Sequence, residues 1–246
     1  MQAVPLTHAE HADLRVITRR GAEWGDNLMS VPAFPIEFRS LQAHYPIVFQ
    51  KAEDGSFQPV ALLGLREGDN LFLGPQGWDA HYLPLALERM PFLIGRRNRE
   101  LMLDIDLDSP RVSRSEGEPL YTPQGTPTPY LDRVNSMLRA IHEGFQQMPA
   151  FVDALLTNGL LESFVLDVEL ANGAQHRLAG FYTINEESLN ALPDAALLAL
   201  HRSGHLTMIH QALSSLSHFR DLIERENRRL PAPAAAVADL LAAALG

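Results

Sequence analysis

The chain has 246 residues, 46% hydrophobic and 20% charged, an ordinary composition for a globular protein able to bury a sizeable core. Its formal charge is −10, from 30 acidic and 20 basic residues, and Lys51 is the only lysine. That balance excludes the basic footprint of a nucleic-acid binder, and the absence of cysteine excludes disulfides, thiolate metal sites and cysteine nucleophiles.

Residues 1–35 read as irregular, broken by Pro5, Pro32 and Pro35. Residues 36–44 read as a short helix leading into the apolar run 45–49, a buried strand. The turn at residues 53–56 is followed by a strand at 60–65, a turn at 67–70 and a returning strand at 71–73. Pro84 opens a helix over 85–90, and residues 92–94 and 101–107 continue the same sheet. A Pro/Thr/Ser-rich stretch at 109–129 separates this strand-rich half from a helical half.

Thr128 and Pro129 start a helix with apolar positions at Leu131, Val134, Leu138, Ile141, Phe145 and Met148. A second helix over 151–156 ends at Asn158-Gly159. Alternation at 164–170, the turn Asn172-Gly173 and a return over 177–184 predict a hairpin. Asn185 caps a helical turn, and Pro193-Asp194 starts a helix that ends at Ser203-Gly204. A final helix carries Leu206, Ile209, Leu213, Leu216, Phe219 and Ile223. The last sixteen residues, PAPAAAVADLLAAALG, are of low complexity. Residues 1–15 lack an apolar signal core, and no run approaches 18 apolar residues. A cytoplasmic protein without membrane insertion is therefore expected.

Residues 59–96, PVALLGLREGDNLFLGPQGWDAHYLPLALERMPFLIGR, resemble the hallmark segment of the SapC family. So do Val31-Pro32, Glu37-Phe38, the run 45–49, Pro127-Thr128-Pro129-Tyr130-Leu131, Gly180-Phe181-Tyr182 and the stretch 191–204. The resemblance is to the soluble bacterial family, not to the peptide-transporter permease of similar name. It implies an accessory role, since members are associated with a paracrystalline surface layer. They also sit beside flavin-dependent halogenases, cupin-like proteins and TonB-dependent receptors. It supplies no catalytic residues.

Candidate chemistry is sparse. Asp104, Asp106 and Asp108 alternate with apolar residues, so one strand face carries three carboxylates able to hold a hard cation. Ser109 and Ser115 stand where a calcium loop needs glycine and a bidentate glutamate, so a solvated strand face is the reading adopted. His201 and His205 have zinc spacing, but Gly204 between them breaks the helix; His8 and His11 lie in the irregular start. No Gly-x-Ser-x-Gly elbow, Rossmann fingerprint or phosphate loop is present, so no cofactor or metal is expected.

The turn Trp78-Asp79-Ala80-His81-Tyr82 is the most distinctive local group. Trp78, Asp79 and Tyr82, with Arg66 and Arg96 as carboxylate clamps, form a candidate ligand or partner surface. The other reading makes Trp78 a core staple between hairpin and helix. The expected fold is α+β, a bent and mostly antiparallel sheet in the first half packed by helices and one further hairpin from the second. Residues 1–230 read as one SapC-like domain, with a subdivision open near 109–129, and 231–246 as an Ala/Pro-rich tail. The expected function is a non-enzymatic accessory or binding protein with a protein partner, self-association remaining open. The alternatives are a metal-dependent enzyme and a surface-layer structural protein.

Overall fold

The computed structural model describes residues 2–97 and 100–230, and the tail expected at 231–246 lies outside them. β1 (Ala3–Pro5), the single turn α1 (His8–His11) and β2 (Arg15–Val16) open the chain, followed by β3 (Ser30–Pro32). The first 35 residues are thus structured, not irregular. α2 (Phe38–Leu41), β4 (Ile47–Lys51) and β5 (Phe57–Leu62) come next, then the two-residue strands β6 (Leu73–Gly74) and β7 (Gly77–Trp78). α3 (Leu85–Glu88) follows Pro84 and leads to β8 (Phe92–Arg97), β9 (Glu100–Asp106), β10 (Val112–Ser113) and β11 (Glu118–Pro119). The second half holds α4 (Pro129–Thr157), β12 (Leu161–Glu169), β13 (Gln175–Ile184), α5 (Glu186–Asn190), α6 (Asp194–Arg202), α7 (His205–Ser215) and α8 (Phe219–Arg229).

The protein is α+β, and its largest sheet is antiparallel in the order β12-β13-β4-β5-β3. The late hairpin therefore joins the early strands directly, through Phe181 opposite Gln50 and Tyr182 opposite Phe49. Residues 71–73 do not return along β5 as expected. Leu71 N–H donates to the Leu63 carbonyl, but β6 pairs with β7 and β5 lies between β4 and β3. β8 and β9 do not continue the large sheet either; they form a second one with β1 on its edge. β10 and β11, from the Pro/Thr/Ser-rich stretch, both pair with β2.

α4 runs unbroken where two helices were expected, with Pro149 inside it. Pro149 faces solvent, while Leu131, Val134, Leu138, Ile141, Met148, Phe151 and Leu155 keep one buried stripe. Burial of that stripe outweighs the one helical hydrogen bond that proline removes. The Thr128 hydroxyl caps the start, accepting from Leu131 N–H (3.3 Å) and donating to the Pro119 carbonyl (2.8 Å). Phe151 meets Phe38 edge-on with centroids 5.9 Å apart. The last predicted helix is split into α7 and α8 by a 3₁₀ turn at Leu216–His218. One hydrophobic cluster runs from Leu14 to Leu222. Among the described residues no helix is long and apolar enough to cross a membrane.

Arg111, inside the Pro/Thr/Ser-rich stretch, is fully buried, as is Asp26. Its Nη2 donates to both Asp26 oxygens (2.7 and 2.6 Å), and its Nη1 donates to the Ile17 and Arg19 carbonyls (2.9 and 2.8 Å). Arg20 is a second, weaker partner of Asp26 at 3.4 Å, and burial lowers its affinity for the proton. Removing the one buried anion leaves two desolvated guanidinium groups uncompensated. Asp26→Asn is expected to lower stability by about 3–5 kcal/mol, read by urea unfolding at neutral pH. A loss under about 1 kcal/mol would show that water or another carboxylate takes over the pair.

Candidate functional site

The aromatic turn is anchored inward. Trp78 is half-buried, and its indole N–H donates to the Tyr45 hydroxyl (3.1 Å) and the Tyr82 carbonyl (3.0 Å). The Tyr45 hydroxyl donates to that same carbonyl, and its ring lies edge-on to Phe72 at 4.7 Å. Phe72 stacks on Trp78, centroids 5.9 Å apart and planes 21° from parallel. Burial pushes the Tyr45 and Tyr82 hydroxyls well above the ordinary phenol range, and for Tyr82 the Glu37 carboxyl adds to it.

Glu37 closes this network from below. It is buried, and accepts from Phe34 N–H (3.2 Å), Leu85 N–H (3.0 Å) and the Tyr82 hydroxyl (3.0 Å). These donors favour the carboxylate, but burial outweighs them and raises its pKa from 4.5 to about 7. When the acid is neutral, the Tyr82 hydroxyl can exchange donor for acceptor and keep the bond.

α8 clamps the turn from outside with three charged contacts. Arg225 lies 4.3 Å above the Phe72 ring and donates to Asp79 Oδ2 (2.6 Å) and the Asp79 carbonyl (2.9 Å). Arg229 donates to the Asn70 and Leu73 carbonyls (2.6 and 2.9 Å) and to Asp69 (2.9 Å). Arg66 donates to the buried Glu226 of α8 at 2.7 Å. Arg66, Trp78, Asp79 and Tyr82 are thus brought together, each held by contacts within the chain. Arg96 is not with them.

Arg96 lines a groove of about 440 Å³ between the β8–β9 hairpin and α4. Leu93, Ile94, Leu138 and Ile141 form its apolar floor, and Leu101 and Phe145 stand at its mouth with 50% and 61% exposure. The sequence stripe on α4 counts Phe145 among its packed positions; the structure leaves it in solvent because the buried stripe passes through Gly144 at that turn and continues at Met148 and Phe151. A smaller recess of about 140 Å³ adjoins, sharing Ile94, Leu101, Leu138 and His142 and adding Arg139. Arg89 also lines the groove and donates to the Phe92 carbonyl (2.8 Å). Arg89 was not singled out in the sequence, where an arginine in a short surface helix carries no distinguishing signal.

The other sequence candidates are dispersed. Asp104 is buried and paired with Arg97 at 2.8 Å, not solvated, and it fills the space that a Cβ on Gly95 would occupy. Asp106 accepts from Gln2 N–H (2.8 Å) and Asp108 N–H (3.2 Å). His201 lies in the last turn of α6 and His205 begins α7 beyond Gly204, whose φ is +78°, so the pair does not share a helix face. His8 packs on Tyr121 and His11 Nδ1 accepts from Thr7 N–H. Among the described residues no three His, Asp or Glu side chains converge as a metal-holding group. A polar cleft of about 270 Å³ holds His44, His81, Asp79, Asp221 and Arg225. There burial, then His81 and His218, lower the pKa of His44. His218 beside it faces Asp221 through Nδ1 (2.5 Å) and the Gln42 carbonyl through Nε2 (3.0 Å), leaving neither ring nitrogen for a substrate.

A model of the SapC family matches residues 6–222, most of the chain, and this protein belongs to the SapC family. No curated protein and no solved structure matches the chain.

Two measurements probe the aromatic network. Trp78→Ala removes the Phe72 stack and both indole bonds, and is expected to lower stability by about 3 kcal/mol, whereas Trp78→Phe keeps the ring and should lose about 1 kcal/mol. Equal, small losses would show that the turn is not held by the ring. For Glu37, the native state binds a proton that the unfolded chain releases between pH 4.5 and about 7. Its stabilising effect is complete below pH 4.5 and is lost as pH rises through about 7, a fall of up to ~1.4 kcal/mol per pH unit. Glu37→Gln should flatten that part of the pH–stability curve, measured by chemical unfolding from pH 4 to 8. An unchanged slope in the variant would assign the proton elsewhere.

Proposed function

We propose that the protein is a non-enzymatic binding protein, and that the groove between the β8–β9 hairpin and α4 is its binding surface. The observation that carries this reading is the exposed apolar lining, with Leu101, Met102 and Phe145 all more than a third accessible beside a concave floor. Exposed apolar residues grouped along a groove of ligand size mark binding sites on soluble proteins. Arg96, one of the five residues chosen from the sequence, belongs to this surface. On this reading Arg66, Trp78, Asp79 and Tyr82 hold the scaffold, and of these Arg66 and Asp79 are the two that are largely open to a partner.

An accessory role beside a flavin-dependent halogenase, a cupin-like protein or a TonB-dependent uptake system, in the cytoplasm, follows from the family resemblance and is part of the proposal. The rival enzyme reading is favoured by the presence of His44, His81 and Asp221 in the lining of the polar cleft. It is weakened there because Asp79 is held by Arg225 and His218 is engaged at both nitrogens.

Binding of the neutral apolar dye Nile red tests the groove. Fluorescence titration is expected to show saturable binding that Leu101→Asp and Phe145→Asp each weaken at least tenfold, with melting temperatures within a degree or two of the parent. No saturable binding, or binding indifferent to both substitutions, would overturn the assignment. Native mass spectrometry with elemental analysis of fresh protein would favour the enzyme if it found a stoichiometric metal.

A further inference from the structure

The groove carries a charge pattern opposite to that of the whole molecule. The chain is acidic overall, yet Arg89, Arg96, Arg139 and His142 line the groove and its recess, and among the described residues no Asp or Glu does. Three other buried or half-buried arginines have carboxylate partners, Arg111 and Arg20 in Asp26 and Arg225 in Asp79, while the half-buried Arg15 donates to the Gly117 carbonyl. Among the described residues Arg89, Arg96 and Arg139 have none. Arg96 and Arg139 are exposed, where water solvates the charge. Arg89 is different. It is half-buried, burial alone lowers its affinity for the proton, and its one hydrogen bond goes to the Phe92 carbonyl.

A guanidinium presents five N–H donors in a planar fork, so most of those on Arg89 have no acceptor among the described residues. A desolvated cation without a counter-ion is unfavourable, and an incoming anion would relieve it. Beside it lie the apolar side chains of Leu93, Ile94, Leu138 and Ile141, in a space of about 440 Å³ that suits a small molecule. The ligand is therefore anionic at one end and apolar along the rest.

We propose that the groove binds a free amphipathic monocarboxylate, its carboxylate on the Arg89 fork and its hydrocarbon tail along Leu93, Ile94 and Leu138. This deepens the binding function proposed above and rests on it. Among the described lining residues Arg89 is the one half-buried guanidinium and balances one negative charge inside the groove, while Arg96 and Arg139 stay in water at the rim. The fork geometry also matches a carboxylate through two parallel hydrogen bonds. Arg96 and Arg139 at the rim raise the local concentration of anions against the acidic surface. The adjoining recess, which shares Ile94 and Leu138, extends the space available to the tail.

The test compares decanoate, decanol and decyltrimethylammonium, each below its micellar concentration, by calorimetric titration and by the shift in melting temperature. Decanoate is expected to bind at least tenfold more tightly than decanol, and the ammonium most weakly. Arg89→Met should lower decanoate affinity about ten- to a hundredfold and leave decanol unchanged, the range of a charge-assisted hydrogen bond. Should Arg89→Met fail to fold, the selectivity of the unmodified protein decides the matter without a variant. Equal affinity for decanoate and decanol, or preference for the ammonium, overturns the carboxylate assignment while the apolar groove stands. Nile red binding without decanoate binding does the same, and failure of every probe removes the groove function as well. A concentration-dependent dimer dispersed by Phe145→Asp would make a second copy the occupant and would also overturn the proposal.

Discussion

The buried pair of Arg111 and Asp26 ties together three segments that are remote in sequence. Arg111 receives the residues around Ile17 and Arg19 through their carbonyls, and Asp26 accepts from Gly21 N–H at 3.0 Å. The Asp26 carbonyl in turn accepts from the Asn70 side chain, whose oxygen accepts from Phe72 N–H. Phe72 is the ring on which Trp78 stacks and over which Arg225 lies. A chain of polar contacts thus leads from the connection between the halves to the aromatic turn, with the Arg111 Nε–H the one donor along it left without a partner among the described residues. An ion pair so deep stabilises little by itself, because desolvation offsets most of the attraction. It does penalise any arrangement that separates its partners, and so it specifies how these loops meet.

What could be read from the chain is local, and what could not depends on distant partners. Thr128, Asn185 and Gly204 declare helix boundaries because a cap is made within three residues or by one backbone angle. The hairpin of β12 and β13 is announced by alternation and by Asn172-Gly173, with Gly173 at φ +81°. Its union with β4 is not announced, since two pairs of facing residues far apart in sequence leave no local pattern. Arg111 looks like a solvated loop residue because its neighbours are Ser109, Pro110 and Ser113, and only the fold reveals that Asp26 comes to meet it. Pro149 shows the opposite error, a strong local signal overruled by the stripe on either side of it.

The aromatic turn illustrates why composition leaves two readings open. Trp and Tyr are enriched at binding surfaces because one end of the ring is apolar and the other polar, and the same property suits them to a buried network. The destination of their polar atoms separates the two. Here the indole N–H and both tyrosine hydroxyls end on groups within the chain, at Tyr82, Tyr45 and Glu37. Among the described residues Arg96 has no such internal partner, and it alone of the five sequence choices lies on the groove.

The groove owes its shape to two walls held by different means. β8 and β9 are fixed on one edge by β1, whose residues Ala3, Val4 and Pro5 face Asp106, Ile105 and Asp104, and internally by Arg97 on Asp104. α4 is fixed by its buried stripe and by Phe151 against Phe38 and Phe49. Neither wall needs the groove to be filled in order to stand, so the space between them is pre-formed, which keeps the ordering cost of binding low. The preference of this chain for arginine over lysine fits the same logic. Arg111, Arg225 and Arg229 each bridge a carboxylate and at least one carbonyl, a task for a planar fork that a single ammonium performs poorly. Arg89 offers that same fork with only the Phe92 carbonyl as acceptor among the described residues.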